Sequence, residues 1–171
     1  CNAYNSYTTA YIKANYQEEF LTAYLNVEIG RANYDKVAAL EKMAKEINIE
    51  ILHRHINECK LFYTIAGKSD PANGIPRSKI LPSIRCKGLS HSAAEEIVSK
   101  QPYSNLRDFA EKTDTKIVDI KAFDALLNAG FFKPKEGRGK PKDAIMKEFE
   151  VIREDLKRAR KKGVDTGNIF E

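Results

Sequence analysis

Ile84-Arg85-Cys86-Lys87-Gly88-Leu89-Ser90-His91-Ser92-Ala93-Ala94-Glu95-Glu96-Ile97-Val98 is the stretch whose reading decides the fold. It reads as a short helical turn, a tight Lys-Gly-Leu-Ser hairpin and a new helix. Gly88 takes a positive φ without a Cβ clash, so the chain can reverse there, and its bare Cα admits the close approach of a rigid backbone from outside. Ser90 or Ser92 can cap the following helix, and Ser92 with Glu95 has the spacing of a capping box. The free N–H groups of that first turn point outward, the helix dipole adds positive potential, and Lys87 adds a full charge. Together they form a phosphate site made mostly of main chain, which holds a polyanion without reading bases.

Outward from this hairpin the chain is mostly helical. Residues 3–30 carry apolar positions at helical spacing (Ala3, Tyr7, Ala10, Tyr11, Ala14, then Phe20, Leu21, Tyr24, Leu25). Asn33 or Asp35 can start a helix through Ile47 with Val37, Leu40, Met43, Ala44 and Ile47 inward. Residues 49–52 and 61–66 are short and β-branched enough for two strands, and 67–76 has the Gly, Pro, Asn and Ser content of a loop. Beyond the hairpin, a helix runs to about Gln101 and stops at Pro102. A second covers 104–112 with Leu106, Phe109 and Ala110 inward. A third follows the turn 113–119, is lined by Ile120, Phe123, Leu126 and Leu127, and ends at Gly130, placed as a C-terminal cap.

Residues 80–130 thus hold helix-turn-helix units twice over, the organisation of tandem helix-hairpin-helix motifs that grip duplex DNA. The second turn, around Lys116-Ile117-Val118, has no glycine and makes the weaker phosphate grip, with structural support its first role. Residues 133–142 form a basic, flexible linker, and 143–162 one helix with Ile145, Met146, Phe149 and Ile152 on one side. Over 133–162 basic residues are twice as numerous as acidic ones. A solvated face is the first reading of that charge, and a DNA-facing one the second. The expected division is 1–67, a linker at 68–79, the hairpin domain at 80–132, and a basic linker, helix and tail at 133–171.

The chain has 171 residues, enough for one good core or two small ones, and a net charge of +5, which suits a polyanionic partner. It has no bilayer-length apolar run and no signal-peptide pattern. Its three cysteines, Cys1, Cys59 and Cys86, are odd in number, far apart and without a CxxC, which reads as ordinary thiols in a reducing compartment. A start at Cys1 inside a helical pattern reads as a piece of a larger protein. His53, His55 and Cys59 lack a nearby fourth ligand for structural zinc, and no third group makes them a catalytic pair, so no metal site is assigned. The aromatic stripe Tyr4, Tyr7, Tyr11 and Tyr16 with Lys13 reads as core or interface, with a template base or incoming nucleotide as the sharper alternative.

Four segments, taken in order, carry a family resemblance. Ala3-Tyr4-Asn5-Ser6-Tyr7-Thr8-Thr9-Ala10-Tyr11-Ile12-Lys13-Ala14-Asn15-Tyr16-Gln17-Glu18-Glu19-Phe20 resembles the signature S-Y-x-T-A-Y-L-K-A-N-Y-P-x-E-F of C-family bacterial replicative DNA polymerases (the DNA polymerase III alpha subunit), with Gln17 where proline is usual. Residues 49–58 are similar to G-I-x-V-L-P-P-D-x-N-x-S, with His53-Arg54-His55 for P-P-D. Lys87-Gly88-Leu89-Ser90 is similar to K-G-V-G or P-G-L-G, and Leu126-Leu127-Asn128-Ala129-Gly130-Phe131-Phe132 to L-I-x-A-G-A-F. The resemblance covers nearly the whole chain.

It implies a mainly α fragment: the end of the fingers, a small mixed region and a tandem helix-hairpin-helix domain. Such a fragment binds double-stranded DNA behind the active site of a nucleotidyltransferase whose magnesium-holding palm carboxylates lie upstream, so the chain alone has no catalytic residues and is inactive. The DNA-binding residues are Lys87, Gly88, Leu89, Ser90, His91, Ser92, Lys116 and Ile117. A monovalent cation at the hairpin is the one ion implied for this chain. The partners implied are duplex DNA, the rest of the polymerase and a sliding clamp, which would take Thr166, Ile169 and Phe170 in place of a Q-x-x-[LM]-F peptide; Thr166 departs from the glutamine. No membrane partner is implied, and the location is the cytoplasm of a bacterial or phage-infected cell. Two other readings fit the same residues: a stand-alone hairpin protein of DNA repair or junction binding, and a helical adaptor that binds a sliding clamp.

Overall fold

The computed structural model describes residues 2–134 and 138–167, and among them the side chains of all but Tyr4 and 163–167. The described residues form seven helices and one small sheet: α1 (Asn2–Asn15), α2 (Gln17–Gly30), α3 (Tyr34–Glu46), β1 (Ile49–Ile51), β2 (Thr64–Gly67), β3 (Ser78–Leu81), α4 (His91–Ser99), α5 (Leu106–Lys112), α6 (Ile120–Ala129) and α7 (Lys142–Gly167). None of these helices is long and apolar enough to cross a membrane. The fold is mainly α, as the sequence pattern requires. The chain divides into two units. The first runs to Arg54 and resumes over Glu58–Lys87; the second takes His55–Asn57 and continues from Gly88.

In the first unit Leu21, Leu25 and Ile29 of α2 meet Val37, Leu40 and Ala44 of α3, with Ile49, Tyr63 and Ile80 completing the core. The apolar stripe read over 33–47 is therefore the face that packs. Asn33 caps α3, its side chain accepting the Lys36 N–H at 3.4 Å. The sheet order is β1-β3-β2, with β1 parallel and β2 antiparallel to β3. The central strand β3 lies partly within residues 68–79, where the sequence pattern predicts a linker. Ser78 and Lys79 pair with Ile49 and Glu50, and the chain passes from the first unit to the second between Lys87 and Gly88. The segment Ser78-Lys79-Ile80-Leu81 is too short, and too close to Pro76 and Pro82, for its own pattern to announce a strand. It becomes one because two flanking segments leave main-chain groups that it satisfies.

The helical pattern of 3–30 breaks at Tyr16, whose φ of −133° makes it the N-cap of α2. The stripe on α1 stays at the surface of the described chain: Tyr7 is 70% exposed and Tyr11 50%.

The second unit is built on aromatic rings. Phe123 stacks on Phe149 at 3.7 Å between centroids, and Phe109 meets Tyr103 edge-on at 4.8 Å. Phe109, Phe123, Phe131 and Phe149 are fully buried, together with Ile97, Val118 and Leu126. Gly130, at φ +89°, ends α6 with its N–H on the Leu126 carbonyl, the role its position predicts. Ile120, expected to line α6 inward, is 46% exposed.

Candidate nucleic-acid interface

The lead-in to the first hairpin differs from the expected helical turn. After β3 the chain stays irregular through Cys86. Ile84 donates its N–H to the Lys60 carbonyl at 2.7 Å, while Ser83 Oγ donates to the Leu61 carbonyl at 2.7 Å and accepts the Arg85 N–H at 3.0 Å. The bonds to Lys60 and Leu61 and the local turn at Ser83 hold 83–85 in a non-helical path and compete with helix formation. Gly88 then turns at φ +90°. A Cβ at this position would lie 3.2 Å from Ala125 Cβ in α6, so glycine is needed twice, for its dihedral and for its packing.

Leu89 points inward and is 6% exposed, leaving its main chain as its only route to a ligand. Ser90, extended at φ −69° and ψ 158°, is the N-cap of α4. Its Oγ accepts the Ala93 N–H at 3.2 Å and its carbonyl the Ala94 N–H at 3.0 Å. The Ser92–Glu95 box is therefore not used, because the helix begins two residues earlier. The N–H groups of His91 and Ser92 have no acceptor within α4 and lie at an exposed helix start. Lys87, Gly88, Ser90, His91 and Ser92 form one exposed run. His91 Nε2 lies 3.1 Å from the Glu95 carboxylate, which draws that ring along α4 and adds negative charge beside the turn. A monovalent cation at this turn would be held by main-chain oxygens, and the Ser90 carbonyl, though it accepts the Ala94 N–H, keeps a second lone pair.

The second turn is closed on itself. Asp114 accepts the Lys116 N–H on Oδ1 at 2.8 Å, and its carbonyl accepts the N–H groups of Ile117 at 3.1 Å and Val118 at 2.8 Å. Asp119 caps α6 by accepting the Ala122 N–H at 2.7 Å. Lys116 and Ile117 are exposed, but the turn's own N–H groups at Lys116, Ile117 and Val118 are engaged internally. Its open main-chain donors are those of Ile120 and Lys121, which like His91 and Ser92 have no acceptor within their helix. Arg153 of α7 reaches this turn: it donates to the Val118 carbonyl and lies 4.5 Å over the Phe149 ring. Nothing in the spacing of α7 distinguished Arg153 from its solvated neighbours.

Of the tail residues assigned to a clamp, the side chain of Thr166 and the whole of Ile169 and Phe170 lie outside the described residues. The described residues contain no group of three or more His, Cys, Asp or Glu that could hold a metal ion. The nearby thiol of Cys86 is buried, which pushes its pKa up to about 11.

A family model for the helix-hairpin-helix motif matches residues 48–139. Among curated proteins, the DNA polymerase III alpha subunit of Chlamydia pneumoniae is 33% identical over 132 residues, covering 74% of this chain and 10% of its own length. That of Aquifex aeolicus is 34% identical over 133 residues, with 75% and 10% covered. That of Xylella fastidiosa is 27% identical over 165 residues, with 92% and 13% covered. The chain thus spans 10–13% of the length of these relatives.

Proposed function

Because the chain belongs to the helix-hairpin-helix motif family and is similar over most of its length to a segment of DNA polymerase III alpha subunits, we propose that it is a non-catalytic segment of a replicative DNA polymerase that binds double-stranded DNA behind the active site. The observation that carries this reading is the exposed main chain at Gly88–Ser92: a positive-φ glycine followed by a helix start whose first N–H groups have no intrahelical acceptor. Phosphate oxygens accept from these donors, the dipole of α4 adds to the attraction, and Lys87 contributes a charge. Lys116 and Ile117 contribute side chains from the second turn. No base edge is read, so binding is indifferent to sequence and falls steeply with salt as counterions are released. The parent's nucleotidyl transfer belongs to carboxylates outside this chain, in the cytoplasm of a bacterial or phage-infected cell, and the chain alone is expected to incorporate no nucleotide.

The test is fluorescence anisotropy with a primer–template duplex and with each single strand, at two salt concentrations. Salt-sensitive, sequence-indifferent preference for the duplex is the expected result, and Gly88→Val should weaken it. Failure to bind any strand at low salt would overturn the reading. Retitration with a sliding clamp tests Thr166, Ile169 and Phe170 as a clamp peptide: binding to the clamp without binding to DNA would make the chain an adaptor instead.

A further inference from the structure

The second turn offers fewer main-chain donors than the first, since those of Lys116, Ile117 and Val118 are all turned to Asp114 and only the first N–H groups of α6 stay open. Asp119 also places a carboxylate at the start of α6, where the first hairpin has a neutral serine. Beside this turn lies a groove of about 1050 Å³, with Thr115 and Ile120 on one wall and α7 on the other. Arg153, Lys157, Arg160 and Lys161 face into it. Lys157 lies four residues after Arg153, and Arg160 and Lys161 lie three and four after Lys157, which keeps them on one helix face. Arg153 is fixed in place by its bond to Val118 and by the Phe149 ring, and its Nε is buried without a hydrogen-bond partner among the described residues.

Two carboxylates share the groove, and they do not cancel its charge. Glu154 pairs outward with Arg158 at 3.3 Å, and Glu150 stands alone against four cations. Lys157, Arg160 and Lys161 have no ion-pair partner among the described residues, although carboxylates elsewhere on α7 do pair. Among the described residues, ion pairs have not consumed this basic face.

We propose that this groove, with Lys157, Arg160 and Lys161 as its cations, takes the phosphate backbone of duplex DNA that reaches the second turn. The proposal rests on the duplex-binding reading above and deepens it. The first turn grips with main-chain N–H groups, while at the second, where fewer main-chain donors are open, the side chains of α7 add the cationic contacts. Charge complementarity selects a polyanion, and the shared wall at Thr115, next to exposed Lys116, makes the groove continuous with the turn. The apolar parts of the lining, such as Ile120, would meet sugar edges.

The experiment compares the parent chain, the triple variant Lys157→Ala/Arg160→Ala/Lys161→Ala, the single variant Lys157→Gln, and a charge-matched control, Lys42→Ala/Lys45→Ala/Lys79→Ala, in the first unit. Duplex affinity is measured across a salt series, and each neutralised phosphate contributes about 0.9 to the slope of log K against log salt. The groove triple is expected to lower that slope by about two to three, and the single variant by about one, with parental melting curves. The control should leave the slope unchanged. A groove triple with the parental slope, or one matched by the control, overturns the proposal while leaving the first hairpin intact. A parent chain that binds no duplex defeats both readings together. A poly-glutamate peptide bound by the parent and lost in the triple, with duplex binding unaffected, would assign the groove to an acidic peptide and also overturn it.

Discussion

Gly88 shows how much a single position can carry. Its φ of +90° excludes most side chains, and the 3.2 Å approach to Ala125 leaves little room for even one carbon. Gly88→Ala should therefore destabilise the chain by about 1–2 kcal/mol in urea titration, and Gly88→Val by more. The packing term means that the duplex-binding test must be read at temperatures where the variant is folded. The turn was legible in the sequence because glycine between Lys87 and Leu89 is itself the signal; its contact with α6 was not, because Ala125 lies far along the chain. Ser90→Ala should cost about 1 kcal/mol through loss of the cap to Ala93. Burial was equally silent in the sequence at Cys86. With its thiol pushed up to about 11, the folded chain keeps a proton that the unfolded chain releases near pH 9. The unfolded state then binds fewer protons, so stability is full below about pH 9 and falls as pH rises towards 11. Urea midpoints at pH 7, 9 and 10.5 should decline in that order, and Cys86→Ala should flatten part of the decline.

At the scale of elements, caps and stripes were readable where their partners are local. Asn33, Asn105, Asp119 and Gly130 all sit at the helix boundaries that their chemistry favours. Gln17 is instructive: it stands at the first position of α2, where an N–H lacks an intrahelical acceptor in any case, so the missing proline removes rigidity but no hydrogen bond. Elements defined by distant partners were misjudged. The irregular approach to Gly88 depends on Lys60 and Leu61, and β3 depends on β1 and β2. The docking of α7 rests on Phe149, which is stacked on Phe123 and fully buried. Phe149→Ala should cost about 3–5 kcal/mol in chemical denaturation. It should also release Arg153, so any loss of duplex affinity must be separated from loss of fold by circular dichroism.

At the scale of the whole molecule, neither unit is a continuous stretch of sequence. His55–Asn57 belongs with the residues after Gly88. Asn57 holds Tyr103 in the manner of a strand partner, donating to its carbonyl and accepting its N–H, both at 2.8 Å. Asn26 treats Tyr63 the same way in the first unit, at 3.0 and 2.7 Å. Asn57→Ala would leave both Tyr103 main-chain groups unsatisfied and should cost about 1–3 kcal/mol, read as a lower melting temperature. By the same logic a chain cut to begin at 88 should melt below the intact protein. The sequence by itself determined the helical class, the position of the Gly88 turn, most helix ends and the basic character of α7, because these follow from dihedral preference, capping and charge within a few residues. Only the tertiary structure decided that β3 exists, that Asn57 joins the second unit and that Arg153 braces the second turn. Each of these depends on which distant main-chain groups are left to be satisfied, and that is settled when the chain packs.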